Sequence, residues 1–256
     1  MKLERQYVEK PWGRTDLPPI FDQPAGKRIG EVWYVNDGDL PLLAKSIFTS
    51  ERLSVQVHPN DQQARARGLP QGKSECWYIL DCEPGATIGL GLKHEVSSEE
   101  LRAAAVDGCI EQLMDWRPVA SGDFIFVKPG TIHAIGAGIS LIEFQQNADV
   151  TYRLYDYGRP RELHLDDGVG VATPSPFEGE TRHLSNADEQ CLVEGPHFRL
   201  VYSTRDALAD QMRWVLPLEG EVRSGEDRAL SGECLLVRPG ESVESYGARM
   251  LIGATA

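Results

Sequence analysis

Hydrophobic positions along the chain fall in short runs, interrupted at brief intervals by glycine and proline. EVWYVN (31–36), LLAKSIF (42–48), LSVQVH (53–58), CWYILD (76–81), ATIGLGL (86–92), DFIFVKPG (123–130), ISLIEFQQ (139–146) and VTYRLYDYG (150–158) read as strands closed by turn residues. HFRLVYST (197–204), MRWVLPLEGEV (212–222), ECLLVRPGESV (233–243) and ARMLIGA (248–254) resume that pattern. Two stretches differ. In residues 97–116, Ser97 and Glu100 form a capping-box signature ahead of an alanine-rich run. A helix is expected there, or two short ones split near Asp107-Gly108. NDQQARAR (60–67) predicts another short helix, capped by Asn60 or Asp61. Residues 159–190 are polar and rich in Pro, Gly and Asp, and read as a connection between two β units. The expected architecture is a β-barrel or sandwich with helices inserted.

One pattern recurs. SGDFIFVKPG (121–130) and SGECLLVRPG (231–240) share glycine, acid, four apolar residues, base, Pro and Gly. A match this specific predicts duplication, hence two similar β halves. Aligning Gly130 with Gly240 puts Val243 where His133 stands.

The strand at 53–58 carries the first chemical signal. Alternation sends Ser54, Gln56 and His58 to one face, and Leu53, Val55 and Val57 to the other. A polar face on an apolar strand either meets water or lines a polar cavity. Glu75 and His133 stand in similarly strand-like surroundings, His133 just after a Pro-Gly turn. Two imidazoles, a carboxylate and an amide oxygen form a mixed N/O set that suits zinc, and iron or manganese equally. Lys73 precedes Glu75 by two residues and so shares its face in an extended segment.

Bulk properties narrow the classes. The 256 residues can bury a sizeable core, and 41% apolar with a quarter charged is ordinary for a globular protein. A formal net charge of −13 disfavours nucleic acid and anionic membranes as partners. Positive partners for an anionic substrate would have to be local. Five cysteines without C-x-x-C spacing read as reduced thiols, and the first residues lack an apolar signal segment, so a cytoplasmic setting is expected. Cys76 falls on the face opposite Glu75 and reads as core. His94, His164, His183 and His197 read as surface. Trp33, Trp77 and Trp116 read as core.

The glycine and P-G-x-x-H pattern from Gly122 to His133 resembles the second motif of the cupin barrel. Together with QVHPND (56–61), GKSECWY (72–78), PGTIHAIG (129–136), YRLYDYGR (152–159), PWG (11–13) and IGEVW (29–33), the chain resembles the type I mannose-6-phosphate isomerases, short bacterial form. The resemblance runs in order from about residue 8 to residue 160 and weakens beyond. It implies two cupin-like (jelly-roll) halves: residues 1–158 as the catalytic domain with a helical insertion near 97–116, and 159–256 as a linker and a metal-free cupin-like domain. It implies one zinc per chain, held by Gln56, His58, Glu75 and His133. The implied reaction interconverts mannose 6-phosphate and fructose 6-phosphate through an enediol. Arg153, Lys73 and Glu143 are the implied catalytic residues, and Ser54, Lys73 and Arg153 the implied substrate contacts. On the residues alone, Glu143 also reads as a surface carboxylate and Arg153 as an ion-pair partner of Asp156. Another metal-dependent cupin enzyme, or a non-catalytic sugar-phosphate-binding cupin, are the competing readings. YRLYDYGR and the intact ligand set with Lys73 and Arg153 argue against both.

Overall fold

Alternating and β-branched runs make strands wherever the sequence carries them. A computed structural model of the chain describes residues 1–184 and 189–256. Its elements, in chain order, are β1 (Glu4–Arg14), β2 (Ile29–Val35), β3 (Leu42–Phe48), β4 (Val55–Val57), α1 (Asp61–Arg65), β5 (Glu75–Cys82), β6 (Thr87–Leu92), α2 (Ser98–Asp107), α3 (Ile110–Leu113), β7 (Met114–Pro118), β8 (Asp123–Val127), β9 (His133–Ile135), β10 (Ile139–Gln146), β11 (Tyr152–Tyr155), α4 (Leu165–Val171), β12 (Thr181–His183), β13 (Gln190–Glu194), β14 (Phe198–Ser203), β15 (Arg213–Ser224), β16 (Asp227–Leu230), β17 (Leu235–Val237) and β18 (Glu244–Thr255).

The short helices follow their caps. Asn60 caps α1 and Ser97 caps α2, each in a complete capping box with the residue three positions on. Gly108, left-handed at φ 84, ends α2, and α3 follows. The expected helical segment ends sooner than the sequence suggested. Met114 to Trp116 belong to β7, which pairs with β6 through Gly89↔Trp116 and Leu92↔Met114. Sheet pairing overrides the helical pattern there.

The chain divides into two units. The first comprises residues 1–48, 141–147 and 183–256. It contains the antiparallel run β1-β2-β3 and a sheet in the order β13-β14-β18-β15-β16, with β17 on β15. Val215, Val222, Leu235, Val237, Val243, Met250 and Ile252 form an apolar core in it. The second comprises residues 49–140 and 148–182. Its five-stranded sheet runs β11-β4-β9-β6-β7, and β5 pairs with β8. The expected boundary at residue 158 does not coincide with this division. Most of the expected linker belongs to the second unit, where α4 buries Gly168 and Val171, and Leu92, Val96 and Gly130 bond to backbone of residues 173–175. Residues 185–188 of that expected linker lie outside the described residues.

The repeat has matching local geometry in the two units. Gly122 and Gly232 are left-handed at φ 92 and 78, and Gly130 and Gly240 at 86 and 79. Asp123 accepts from Ala120 N, and Glu233 from Leu230 N, at 2.8 and 2.9 Å. Val243, at the position corresponding to His133, is buried in the apolar core.

A chain ending at Tyr157 should therefore be insoluble or inactive although it keeps every candidate ligand. It would lose α4 and the 173–175 backbone bonds from one unit, and all six strands of the β13–β18 sheet from the other. At roughly 25 cal/mol per Å², the exposed apolar surface is a heavy cost. Expression of residues 1–157, with metal and activity assays, checks this; a soluble, fully active fragment would refute it.

Candidate metal centre

Short strands bring the polar residues together inside the second unit. Gln56, at the centre of β4, stands opposite His133 of β9 and opposite Arg153 of β11. Cross-strand partners share a face, so these three side chains form a row. His58 follows directly after the end of β4 at Val57, and its carbonyl accepts from Gly130 N at 2.8 Å, tying the Pro-Gly turn to the strand. Glu75 opens β5, and is fully buried; His58 and His133 are each 1% exposed.

Ligand atoms of His58, Glu75 and His133 all lie within 4.8 Å of one another. His58 Nε2 is 3.4 Å from Glu75 Oε2, and His133 Nε2 is 3.3 Å from Glu75 Oε1. The tautomers follow from the other ring nitrogens. His58 Nδ1 faces the Val150 carbonyl at 2.7 Å, and His133 Nδ1 faces the Thr131 carbonyl at 2.9 Å. A carbonyl only accepts, so in the neutral rings both hydrogens sit on Nδ1, and both Nε2 atoms present lone pairs. Those lone pairs converge on a carboxylate. Glu75 Oε1 is buried and receives no hydrogen bond. Lone pairs and an orphaned anionic oxygen facing one another require a cation between them, so these residues fit a bound metal ion. Burial pushes His133 down to about 4, against the pull of Glu75, and so keeps it a neutral ligand at pH 7. Glu75 is held well below the usual carboxylate range; burial opposes this, but the Lys73 ammonium beside it outweighs burial.

Gln56 is the fourth expected ligand. Its amide stands 3.2 Å from His133 Nε2 with the nitrogen inward, while Ser54 Oγ donates to its oxygen at 3.0 Å. A half turn of the amide presents the oxygen instead, and a serine hydroxyl can partner either orientation. Ser54 thus orients Gln56. Lys73 is 5% exposed, and its Nζ donates to Glu75 Oε2 at 2.5 Å and lies 3.4 Å from His58 Nε2.

Two candidates have other surroundings. Arg153 is half-buried and donates through Nε to the Glu162 carbonyl at 3.0 Å. The expected alternative partner, Asp156, is instead gripped by Arg159 and Arg161. Glu143 belongs to the first unit. It is buried, not a surface carboxylate, and pairs with Lys45 at 2.9 Å.

Sequence reasoning missed several groups. His164, read as surface, is half-buried and its Nδ1 accepts the Arg153 backbone N–H at 3.2 Å. Trp33 and Trp116 are partly exposed and stack with Lys45 and Arg52. The Asp156-Arg159-Arg161 cluster had one available signal, three arginines within 153–161. Cys76 is core as expected, and none of the five cysteines is in a disulfide. No helix is long and apolar enough to cross a membrane among the described residues.

Stability of the metal-free protein should depend on pH. The folded His133 titrates near 4, below its ordinary 6.5, so on acidification the unfolded chain takes up that proton first. Stability is then lost as pH falls from about 6.5 toward 4, by an amount on the order of a few kcal/mol. Glu75, also depressed, adds a loss below about 4.5. Urea unfolding of chelated protein should show lower stability at pH 5 than at pH 7.5; equal values would mean that His133 titrates normally.

No family model matches the chain. Mannose-6-phosphate isomerase ManA of Bacillus subtilis is 40% identical over 212 residues, covering 77% of this chain and 66% of that protein. The probable mannose-6-phosphate isomerase GmuF of the same organism is 34% identical over 243 residues, covering 90% and 72%. The crystal structure of the Bacillus subtilis mannose 6-phosphate isomerase superposes with a TM-score of 0.79 at 25% identity, over 98% of each chain. The chain spans just under two thirds of the length of ManA. The fold is mainly β and cupin-type, as the motifs implied. With identity this high across most of GmuF, the chain belongs to the mannose-6-phosphate isomerase family.

Proposed function

We propose that the chain is a metal-dependent isomerase interconverting mannose 6-phosphate and fructose 6-phosphate. The observation that carries this reading is the convergence of two imidazole lone pairs on the buried Glu75 carboxylate, with Lys73 against it, in a chain of this family. Zinc is the proposed ion, bound by Gln56, His58, Glu75 and His133: the family resemblance implies it, and the donor set of two imidazoles, a carboxylate and an amide oxygen is compatible with it. When bound, it would act as a Lewis acid that polarises the sugar carbonyl.

The chain's own residues would do the rest. Isomerisation moves a proton between C1 and C2 of the open-chain sugar, and negative charge grows on the adjacent oxygens. Lys73, desolvated and held by Glu75, would present an ammonium proton to those oxygens. Arg153, in the row with Gln56 and His133, would stabilise the same charge. Ser54 would keep the Gln56 amide aimed. The Val150 and Thr131 carbonyls hold both imidazoles with Nε2 inward. Five cysteines, none in a disulfide, fit a reducing compartment, so the cytoplasm is the proposed setting.

The direct test is to incubate the purified chain with mannose 6-phosphate and follow fructose 6-phosphate by NMR. Formation to equilibrium supports the reading. Saturable binding without turnover would favour a sugar-phosphate-binding cupin instead.

A further inference from the structure

We infer that His164 is a positioning residue: its neutral imidazole holds the Arg153 backbone in register beside the metal-centre row, and acid releases that backbone by protonating the ring. This rests on the isomerase reading above, in which Arg153 acts on the transition state. β11 stands at the end of the five-stranded sheet, and β4 is its one strand partner among the described residues. An edge strand leaves alternate backbone groups open. His164 satisfies both of them at Arg153. Its own N–H donates to the Arg153 carbonyl at 2.8 Å, and its ring Nδ1 accepts the Arg153 N–H at 3.2 Å. The Arg153↔Gln56 pair is therefore the kind whose backbone groups point away from each other, where facing side chains come closest. The guanidinium is fixed from the same segment, since Arg153 Nε donates to the Glu162 carbonyl at 3.0 Å.

The surroundings hold the ring in place for this task. His164 directly precedes α4, and its carbonyl accepts from Gly168 N at 2.7 Å, but its side chain makes no capping bond. Ser, Thr, Asp and Asn lead at that position, so the imidazole is not there to cap the helix. α4 packs so close to β11 that a Cβ at Gly168 would stand 2.7 Å from the Leu154 side chain. Asp167 of α4 pairs with Arg67 at 2.8 Å, and Asp166 pairs with Arg102 of α2. Because Nδ1 accepts, the neutral ring carries its hydrogen on Nε2, which faces Glu162 Oε2 at 4.0 Å. The Tyr152 ring lies 6.1 Å away. Burial, and after it the Arg153 charge, hold the imidazole below its usual range, against the pull of Glu162 and Asp167. Once protonated, Nδ1 carries a hydrogen that opposes the Arg153 N–H, and that bond is lost.

The test uses the full-length, metal-loaded protein with His164→Leu, His164→Asn, and His164→Leu combined with Arg153→Ala. His164→Leu should lower kcat for mannose 6-phosphate about fivefold at pH 7.5, leave KM within about twofold, and keep metal content at wild-type level. Asparagine can place its side-chain oxygen where Nδ1 stands, so His164→Asn should recover most of that loss. The ratio of wild-type kcat to His164→Asn kcat should fall as pH drops below about 6.5, because only the imidazole takes up a proton and ionisations common to both proteins cancel. In the Arg153→Ala background, His164→Leu should cost no more than about twofold in kcat, since the group it positions is gone. A role in the fold alone would lower the melting temperature, cost the same fivefold in both backgrounds and leave the ratio flat with pH. Either the equal loss or the flat ratio would overturn the proposal. Should His164→Leu fail to fold, the ratio for His164→Asn decides. A wild-type chain that does not turn over mannose 6-phosphate would sink the isomerase reading alone. NMR would then decide the His164 link: an Arg153 amide shift that follows the imidazole titration in wild type and stays still in His164→Asn upholds it, and an amide that never moves refutes it.

Discussion

Replacing Glu75 with glutamine should strip the protein of its metal and its activity together. Glu75 is the one anionic donor in the group, and both imidazoles face it. Glutamine keeps the volume but removes the charge that a divalent ion needs in a buried site. Losing even an outer partner of a metal ligand costs about 10- to 100-fold in affinity, so losing this ligand should cost at least about 100-fold. A second effect comes through Lys73, whose buried ammonium would lose the carboxylate 2.5 Å away. Breaking a buried pair from one side destabilises by about 3 kcal/mol or more. Elemental analysis, steady-state kinetics and urea unfolding on one preparation would measure all three. Full metal content with normal turnover would remove Glu75 from the centre.

Arg153→Ala should lower kcat by at least about tenfold, or ~1.4 kcal/mol of barrier, with a smaller change in KM. The reason is that charge on the sugar oxygens grows during enolisation, so a cation in the Gln56 row acts mainly on the transition state. Lysine should not fully restore the rate. It lacks the planar fork, and it cannot reproduce the Nε bond to the Glu162 carbonyl that holds the guanidinium in place. Steady-state kinetics showing only a raised KM would recast Arg153 as a phosphate anchor.

Local pattern and long-range pairing divided what could be read beforehand. LLAKSIF and ISLIEFQQ are strands to the residue, because their composition admits little else. The caps at Asn60 and Ser97 formed for the same local reason. Residues 114–116 were misread because the partner that makes them a strand, β6, is remote in sequence. The grouping of residues 1–48 with 183–256 was hidden for the same cause: strand order depends on contacts that no local period carries. At the metal centre, alternation and the Pro-Gly turn marked His58, Glu75 and His133 as candidates, and the family resemblance joined them into one ligand set; their ligand atoms lie within 4.8 Å of one another. The carbonyls of Val150 and Thr131, which set the tautomers, are backbone atoms and leave no mark on residue identity. For Glu143 a surface carboxylate was the alternative to a catalytic role, and its pairing with Lys45 was hidden because Lys45 lies far back in the chain. Asp156 was the alternative partner weighed for Arg153, since charges in a turn do not reveal which one is buried.

The central claim is that turnover depends on a cation held by these converging donors. The most direct measurement is isomerisation of mannose 6-phosphate by one preparation before chelation, after chelation and after stoichiometric reloading with zinc, iron or manganese, with bound metal counted each time. Activity should vanish with the metal and return in proportion to about one ion per chain, most fully with zinc. Undiminished turnover by a protein shown to hold no metal would contradict the account.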